Sequence, residues 1–327
     1  MKCKSAFRGI VLLIIFVLSA CAKNAPVKTE LEGIPDLSRD NFNFVIASDM
    51  GRRGESEQRR IADVMGKAAE ANNLALMAVA GDPIHDEGVQ SVDDPEWQEK
   101  IENIYTAPSL HTIPWYVVAG NHEYRGNVQA LLDYSAKSER WNMPARYFSL
   151  EKPIGTTKET CLLVFIDTTP LIDKYRSGTE PDYADSDAGR QDIDAQLAWI
   201  ERALVESNAR WKIVIGHHPV FADTGKDETE RLDMRRRLLP ILERYAVNLY
   251  VCGHIHNFQY LRLPEYSTAY VVNSSASRSR EAKPVDGTVF CDSSPGFSLV
   301  SVSPATLDFY MINYEGRTIY RFTLDML

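Results

Sequence analysis

Six short apolar runs, each followed within two or three residues by a polar side chain, constrain the fold of this chain more than any other feature. They occupy residues 44–47, 74–80, 115–119, 161–166, 211–215 and 249–252. Because these runs are apolar throughout rather than alternating, they predict strands of sheets that are covered on both faces. Apolar residues at helical spacing between them, such as Ile61, Val64 and Met65, predict connecting helices. The pattern indicates an α/β fold.

The chain changes texture after Tyr266. Short β-like runs at 268–272, 297–302, 306–312 and 317–323 follow one another without intervening helices. They predict a second, mostly antiparallel sheet packed on the first. Residues 169–190, which are rich in acids and include Gly178 and Pro181, predict a long exposed loop.

The polar residues after the strands are of types that bind metal ions. They are Asp49, Asp82, Asn121, His122, His217, His254 and His256. A single His-x-His motif is better explained by polar residues in a turn, but the repetition of strand followed by ligand along the chain favours a metal site. In an open α/β sheet the carboxyl ends of the strands gather a site, so these side chains are expected in one cleft. Carboxylate oxygen and imidazole nitrogen suit zinc, manganese and iron, and two such ions clamp the oxygens of an in-line phosphoryl displacement.

The order and spacing of these residues resemble the metallophosphoesterases. The matching blocks are Asp49-Met50-Gly51, Gly81-Asp82, Gly120-Asn121-His122, Gly216-His217-His218-Pro219-Val220 and Cys252-Gly253-His254-Ile255-His256-Asn257. Within that group the chain is most similar to the small tartrate-resistant purple acid phosphatases. The resemblance runs from about Phe44 to Arg321 and includes residues 114–122 and 140–142.

The resemblance implies two metal ions, drawn from iron, zinc and manganese, with a ligand set for each. The first set is Asp49, Asp82 and His256. The second set is Asp82, as a bridge, with Asn121, His217 and His254. A hydroxide bridging the ions would attack phosphorus. His122 would contact the phosphoryl oxygens or protonate the leaving group, or would instead orient a metal ligand.

Two positions depart from the family pattern. His85 stands where the family has a tyrosine, whose phenolate binds ferric iron and gives the purple colour. Imidazole suits divalent ions, so we expect His85 to be a fourth protein ligand of the first metal and a divalent pair to be favoured. The alternative is that His85 points away and water completes the shell. Lys226 stands where the family has a histidine proposed as a leaving-group acid, which leaves its role open.

Three further residues are candidates for substrate contacts. Arg52 and Arg53 lie on the loop after Asp49, where they would help to neutralise phosphate, although arginines are common on solvated loops. His218 replaces an aromatic residue of the relatives and would either orient a ligand or face the substrate.

These features predict a four-layer α/β/β/α sandwich of two mixed sheets flanked by helices, with a dinuclear phosphoester hydrolase site. The expected substrate is a phosphomonoester on a small molecule or a protein. Phosphodiester or pyrophosphate hydrolysis stays open because the same core serves both, as does a non-catalytic lipoprotein that binds phosphorylated ligands. The net charge of −9 argues against non-specific binding to nucleic acid.

The first residues carry targeting signals. Lys2, Lys4 and Arg8 precede a short apolar run at 10–18, as in a signal peptide. The run ends in Leu18-Ser19-Ala20-Cys21, which resembles the lipobox of bacterial lipoproteins and implies a lipid on the Cys21 thiol; ordinary signal cleavage nearby is the alternative. We expect a signal peptide at 1–20, a tether at 21–40 and the catalytic domain at 41–327. The protein would be lipid-anchored in the bacterial cell envelope, periplasmic or surface-facing.

Overall fold

The computed structural model describes residues 33–326. The predicted signal peptide, Cys21 and the first part of the predicted tether lie outside the described residues. Residues 33–40 pack on the domain: Leu37 is buried in the hydrophobic core, and its N–H donates to the Asn72 side chain at 2.8 Å. No helix within residues 33–326 is long and apolar enough to cross a membrane.

Fourteen strands are present in the described residues, in two sheets. They are β1 (Phe42–Ala47), β2 (Met77–Ala80), β3 (Trp115–Val118), β4 (Trp141–Asn142), β5 (Phe148–Pro153), β6 (Thr160–Phe165), β7 (Trp211–Ile215), β8 (Leu249–Cys252), β9 (Phe258–Leu261), β10 (Ala269–Val272), β11 (Thr288–Asp292), β12 (Gly296–Val302), β13 (Thr306–Asn313) and β14 (Thr318–Asp325). The first sheet has the order β14-β13-β12-β1-β2-β3-β4, and the second has the order β11-β9-β10-β8-β7-β6-β5. Each sheet mixes parallel and antiparallel pairs, as predicted.

Seven α-helices connect these strands in the described residues. They are α1 (Gln58–Ala71), α2 (Pro108–His111), α3 (Val128–Tyr134), α4 (Asp173–Arg176), α5 (Ile193–Glu206), α6 (Glu228–Arg237) and α7 (Leu239–Arg244). Ile61 and Met65 of α1 are fully buried in the same apolar cluster as Val45 and Val79 of the first sheet. Ile200 and Leu204 of α5 are buried in that cluster with Val214 of the second sheet.

Alternate residues of the central strands face two different apolar layers. Along β1, Phe44 and Ile46 belong to the cluster that also contains Phe165, Ile213 and other residues of the second sheet. Their neighbours Val45 and Ala47 belong to the cluster that contains the helices. Both faces of the strand are therefore covered, which explains its continuous apolar sequence and confirms the predicted four-layer α/β/β/α sandwich.

Two predictions about the rest of the fold were wrong. The last three strands do not form a separate antiparallel sheet: β12 pairs antiparallel with β1, with Phe42 opposite Val302, and so extends the first sheet. Residues 169–190 are not a fully exposed loop. They form short helical turns, and Ile172, Tyr175 and Tyr183 are buried in the domain. The many acidic residues of this segment led to the prediction of an exposed loop, although its apolar side chains are buried.

Candidate metal centre

The residues that follow five parallel strands meet in one buried cleft. Asp49 follows β1 and Asp82 follows β2, and each lies beside a histidine that comes from the second sheet. His256 Nε2 lies 3.0 Å from Asp49 Oδ1, and His217 Nε2 lies 3.0 Å from Asp82 Oδ2. His254 Nδ1 is 3.2 Å from His217 Nε2. Carboxylates that follow strands of the first sheet therefore lie against imidazoles that follow strands of the second sheet.

Asn121 and His85 each carry buried polar atoms that have no hydrogen-bond partner among the described residues. These atoms are Oδ1 of Asn121 and both ring nitrogens of His85. A buried polar atom without a partner is expensive, so such atoms need another ligand. Burial also lowers the pKa of His85 well below its ordinary value, which leaves the ring neutral with a lone pair available. These donors fit a metal centre.

Four overlapping groups of side chains could hold a metal ion, since in each the candidate ligand atoms lie within 4.8 Å of one another. The groups are Asp49 with His85 and His256; Asp82 with His85 and His122; Asp49 with Asp82 and His217; and His217 with His218 and His254. Asp49, Asp82, His85 and His217 each occur in two groups. Such sharing suits two neighbouring ions better than one.

The backbone at four of the predicted ligands is in the left-handed region. The φ angles are 52° at Asp49, 47° at Asp82, 70° at His254 and 63° at His256. For residues with a Cβ this conformation costs of order 1 kcal/mol or more each, and it concentrates at functional sites. Hydrogen bonds offset the cost: the Asp49 carbonyl accepts from the Ser275 and Ser277 hydroxyls at 2.8 and 2.7 Å. The His254 N–H donates to Asp49 Oδ2 at 2.9 Å.

Glycines stand directly before the ligands because the ligands of neighbouring loops approach the backbone there. A Cβ on Gly253 would lie 2.5 Å from Asp49 Oδ2. A Cβ on Gly120 would overlap Asp82 Oδ1. Glycine precedes these ligands in the sequence because a side chain at that position would clash with a ligand on the neighbouring loop.

The charges of the cleft stabilise one another. Burial alone would raise the pKa of the Asp49 carboxyl, but His256 and His217 outweigh burial and hold that pKa far below its ordinary value. His217 and His122 do the same for Asp82. Burial opposes a proton on His217, yet the Asp82 carboxylate raises the pKa of His217 to about 9. The carboxylates are therefore ionised and ready to bind a cation.

Glu123, which the sequence analysis did not single out, connects two of the ligand loops. Its carboxyl group accepts from the N–H of Gly120 at 2.7 Å and from the N–H of Ile84 at 3.1 Å. Burial and the nearby Asp82 raise the pKa of Glu123 to about 8. Its position directly after Gly120-Asn121-His122 was the signal that could have identified it.

His122 and Arg52 lie at the edge of the cleft, whereas Arg53 does not. His122 Nδ1 is 2.6 Å from the Asp86 carbonyl, so it carries the proton, and Nε2 lies 3.8 Å from Asp82 Oδ2. Arg52 is mostly buried and lies 3.4 Å from Asp86, and its Nε has no hydrogen-bond partner in the described residues. Arg53 pairs with the carboxylates of Glu96 and Glu99 on the surface.

Three other side chains surround His254. His218 is buried, with Nδ1 2.8 Å from Thr168 Oγ1 and its ring centroid 4.3 Å from that of His254. Lys226 Nζ lies 2.9 and 3.1 Å from the two ring nitrogens of His254, and burial lowers the pKa of Lys226 to about 8. Arg280 Nη1 is 3.3 Å from the His254 carbonyl. Arg280 was missed because its loop carries no motif.

Similar proteins were found by sequence and by structure. The profile of the calcineurin-like phosphoesterase family matches residues 42–258. Purple acid phosphatase 4 of Arabidopsis thaliana is 32% identical over 323 residues, covering 95% of this chain and 91% of that protein. Tartrate-resistant acid phosphatase type 5 of Homo sapiens is 31% identical over 310 residues, covering 89% of this chain and 93% of that protein.

A solved structure shares the fold. GAP50, described as the anchor in the inner membrane complex of Plasmodium, superposes with a TM-score of 0.74 over 88% of this chain and 89% of that chain. The identity is 19%, so this match bears on the fold and not on the chemistry.

Proposed function

This chain belongs to the calcineurin-like phosphoesterase family, and on that premise we propose that it hydrolyses phosphomonoesters at a dinuclear metal centre. Its relatives are named acid phosphatases, and the chain is a metal-dependent phosphatase. The observation that supports a two-ion centre is the set of four overlapping groups of carboxylates and histidines, in each of which the ligand atoms lie within 4.8 Å of one another.

The ligands divide into two sets. Asp49, His85 and His256 form one group around the first position, and Asp82 bridges towards the second. Asn121, His217 and His254 complete the second position. In this assignment His85 takes the place of the tyrosine of the purple enzymes, which is supported by its two unpartnered ring nitrogens. When bound, the ions would lower the pKa of water to supply a nucleophile and would neutralise charge on the phosphoryl group.

Basic side chains around the cleft suit a doubly charged phosphomonoester. Arg52, Lys226 and Arg280 approach the ligand loops from three separate segments, in a chain whose net charge is −9. Local positive charge is what an acidic protein needs to bind an anion. His122 holds its Nδ1 proton against the Asp86 carbonyl, so Nε2 is available to contact the phosphoryl oxygens or the leaving-group oxygen.

The test is a substrate panel run with purified, metal-replete protein, with and without chelator. We expect turnover of monoesters, loss of turnover with chelator, and recovery on adding zinc, manganese or iron. The matched variant Asn121→Ala removes one ligand at the cleft without touching the apolar core, and it should lose most activity while keeping its circular dichroism spectrum. Preference for diesters or pyrophosphate would reject the monoester assignment, and absence of turnover on every substrate would favour a binding role.

We also propose that the protein is a lipoprotein of the bacterial envelope, anchored through Cys21. The support is the leader sequence alone, because residues 1–32 lie outside the described part of the chain. The full-length protein should partition with membranes, and Cys21→Ala should release it or block its processing. A wild-type protein that is wholly soluble, with its N-terminus beyond Cys21, would reject this localisation.

A further inference from the structure

Two ligands of the proposed second metal position are hydrogen-bonded to side chains that belong to none of the metal-binding motifs. Asn121 donates its Nδ2 hydrogen to the Tyr183 hydroxyl at 2.8 Å. His254 places Nε2 2.8 Å from Glu230 Oε2. Tyr183 belongs to the segment 169–190, and Glu230 belongs to α6.

With its Nδ2 bonded to Tyr183, Asn121 leaves its Oδ1 atom available to a ligand. An amide has one acceptor end and one donor end, and the hydroxyl engages the donor end. The acceptor, Oδ1, is buried and has no hydrogen-bond partner among the described residues. Metal ions bind the amide oxygen rather than the nitrogen, so the hydrogen bond to Tyr183 holds the amide in an orientation that leaves the useful atom available.

The Glu230 contact does the same for the imidazole of His254. Nδ1 of this ring lies 3.2 Å from His217 Nε2, so Nδ1 faces the other ligands and Nε2 faces α6. Lys226 also lies within 3.1 Å of both nitrogens, but an ammonium group can only donate. The His254 Nε2–H therefore donates its hydrogen bond to the Glu230 carboxylate and not to Lys226. A histidine that donates one N–H to a carboxylate has its tautomer fixed and its other nitrogen made more basic.

Glu230 is itself held firmly. It is 1% exposed, and a buried carboxylate needs partners. Its second oxygen accepts from the Tyr175 hydroxyl at 2.8 Å and lies 2.5 Å from Lys174 Nζ. The rings of Tyr175 and Tyr183 contact each other with centroids 4.6 Å apart. The segment 169–190 thus contacts Asn121 directly, through Tyr183. It is linked to His254 through the hydrogen bond from Tyr175 to Glu230.

We infer that Tyr183 and Glu230 are positioning residues for the second metal ion and set its affinity without binding it. This inference rests on the proposed dinuclear centre. Residues of this kind contribute about 10–100-fold to metal affinity. Within residues 33–326, Asp49, His85 and His256 of the first position form no hydrogen bond or ion pair with either residue, so the first position should not respond to their removal.

The test counts metal ions and needs no substrate. Metal-free wild type, Tyr183→Phe and Glu230→Gln are titrated with zinc in competition with a chromophoric chelator, and bound zinc is measured directly. Each variant should bind the first ion as the wild type does and the second about 10–100-fold more weakly. The matched controls are Tyr147→Phe, whose ring packs on Trp199, and Glu228→Gln, an exposed residue of α6 that pairs with Arg231 and Arg235. Both controls should bind two ions normally.

The inference is overturned if both variants bind zinc at the second position with wild-type affinity. It is also overturned if the affinities of both positions fall equally, because that result indicates general damage to the fold. If a variant fails to fold, histidine-ring ¹⁵N spectra of the wild type decide: His254, assigned with His254→Gln, must be the Nε2–H tautomer. The Nδ1–H tautomer contradicts it. A wild type that binds two ions but hydrolyses no phosphoester would reject the proposed function and leave this inference intact.

Discussion

At the scale of single residues, the proposed ligand role of His85 leads to a prediction about which metal ions the site favours. Its Nε2 lies 3.6 Å from Asp82 Oδ2, and its ring centroid is 5.5 Å from that of His256, so it stands among the ligands of the first position. A neutral imidazole in place of a phenolate removes one negative charge and favours divalent ions. The metal-replete protein should therefore be colourless, with an activity optimum nearer neutral pH than that of a purple enzyme.

The substitution His85→Tyr tests this directly. Loaded with iron, the variant should gain visible charge-transfer absorption, because its phenolate reaches the first position. Iron-loaded wild type is the control and should lack that band. Strong visible absorption and a sharply acid optimum in the wild type would contradict a ligand role for the imidazole.

His122 leads to a prediction about leaving groups. If its Nε2 protonates the leaving oxygen, His122→Ala should lower kcat by about 10²–10⁴-fold for alkyl phosphates. The loss should be much smaller for p-nitrophenyl phosphate, whose leaving group needs no proton. Rates of both substrates on the same preparation provide the measurement. An equal loss on both would assign His122 to phosphoryl binding instead.

The predictability of individual site residues depends on where they stand in the chain. The predicted ligands could be identified because each comes within four residues after a strand and fits a block of the family pattern, and the structure gathers them in one cleft: Asp49, Asp82, Asn121, His217, His254 and His256. Tyr183 could not, since it contacts Asn121 across 62 residues from a segment that shows no pattern. Glu230 stands in a helix whose charged residues resemble an ordinary solvated face. A local sequence pattern predicts a metal ligand but not the distant residue that hydrogen-bonds to that ligand.

At the scale of secondary-structure elements, the sequence predicted strands better than strand partners. The apolar runs of β1, β2 and β3 are strands because both faces are buried. The edge strand β5 was missed, since its alternating exposure leaves polar residues on one face. The sheet to which β12 belongs was assigned wrongly because pairing with β1 joins residues about 260 positions apart, and β-propensity carries no information about the partner.

The end of β6 supplies a prediction about pH and stability. Asp167 follows this strand, is buried, and accepts from the Tyr124 hydroxyl at 2.5 Å. Burial raises its pKa to about 7, although Tyr124 and Arg146 oppose that shift. The folded protein thus retains a proton that the unfolded chain releases near pH 4. The stability contributed by this proton is complete below about pH 4 and is lost as the pH rises towards 7.

Asp167→Asn mimics the protonated carboxyl and should remove this pH dependence. Relative to the variant, wild type should lose about 1.4 kcal/mol of unfolding free energy per pH unit between pH 5 and 6.5. Urea unfolding of both proteins at several pH values, in the presence of chelator, measures the difference. Parallel stability curves would mean that Asp167 is ionised throughout this range.

At the scale of the whole molecule, the proposed metal centre takes its ligands from both sheets. Asp49, Asp82 and Asn121 follow strands of the first sheet, and His217, His254 and His256 follow strands of the second. Ions bound among them would cross-link the sheets at one edge of the sandwich. Because unfolding separates those ligands, ions at this centre would bind the folded state preferentially and so stabilise it.

Removing the ions should therefore destabilise the entire domain and not only the loops. Free zinc at about 1,000 times the dissociation constant of a site stabilises by about 4 kcal/mol per ion, which corresponds to a rise in Tm of roughly 7 °C for one site in a domain of this size. Calorimetry of the protein with zinc and with chelator measures the change. A double variant, His254→Ala with His256→Ala, removes one ligand from each proposed set and should lose most of the response to zinc. Equal Tm values for wild type with zinc and with chelator would mean that the six strand-end ligands do not bind an ion between the sheets.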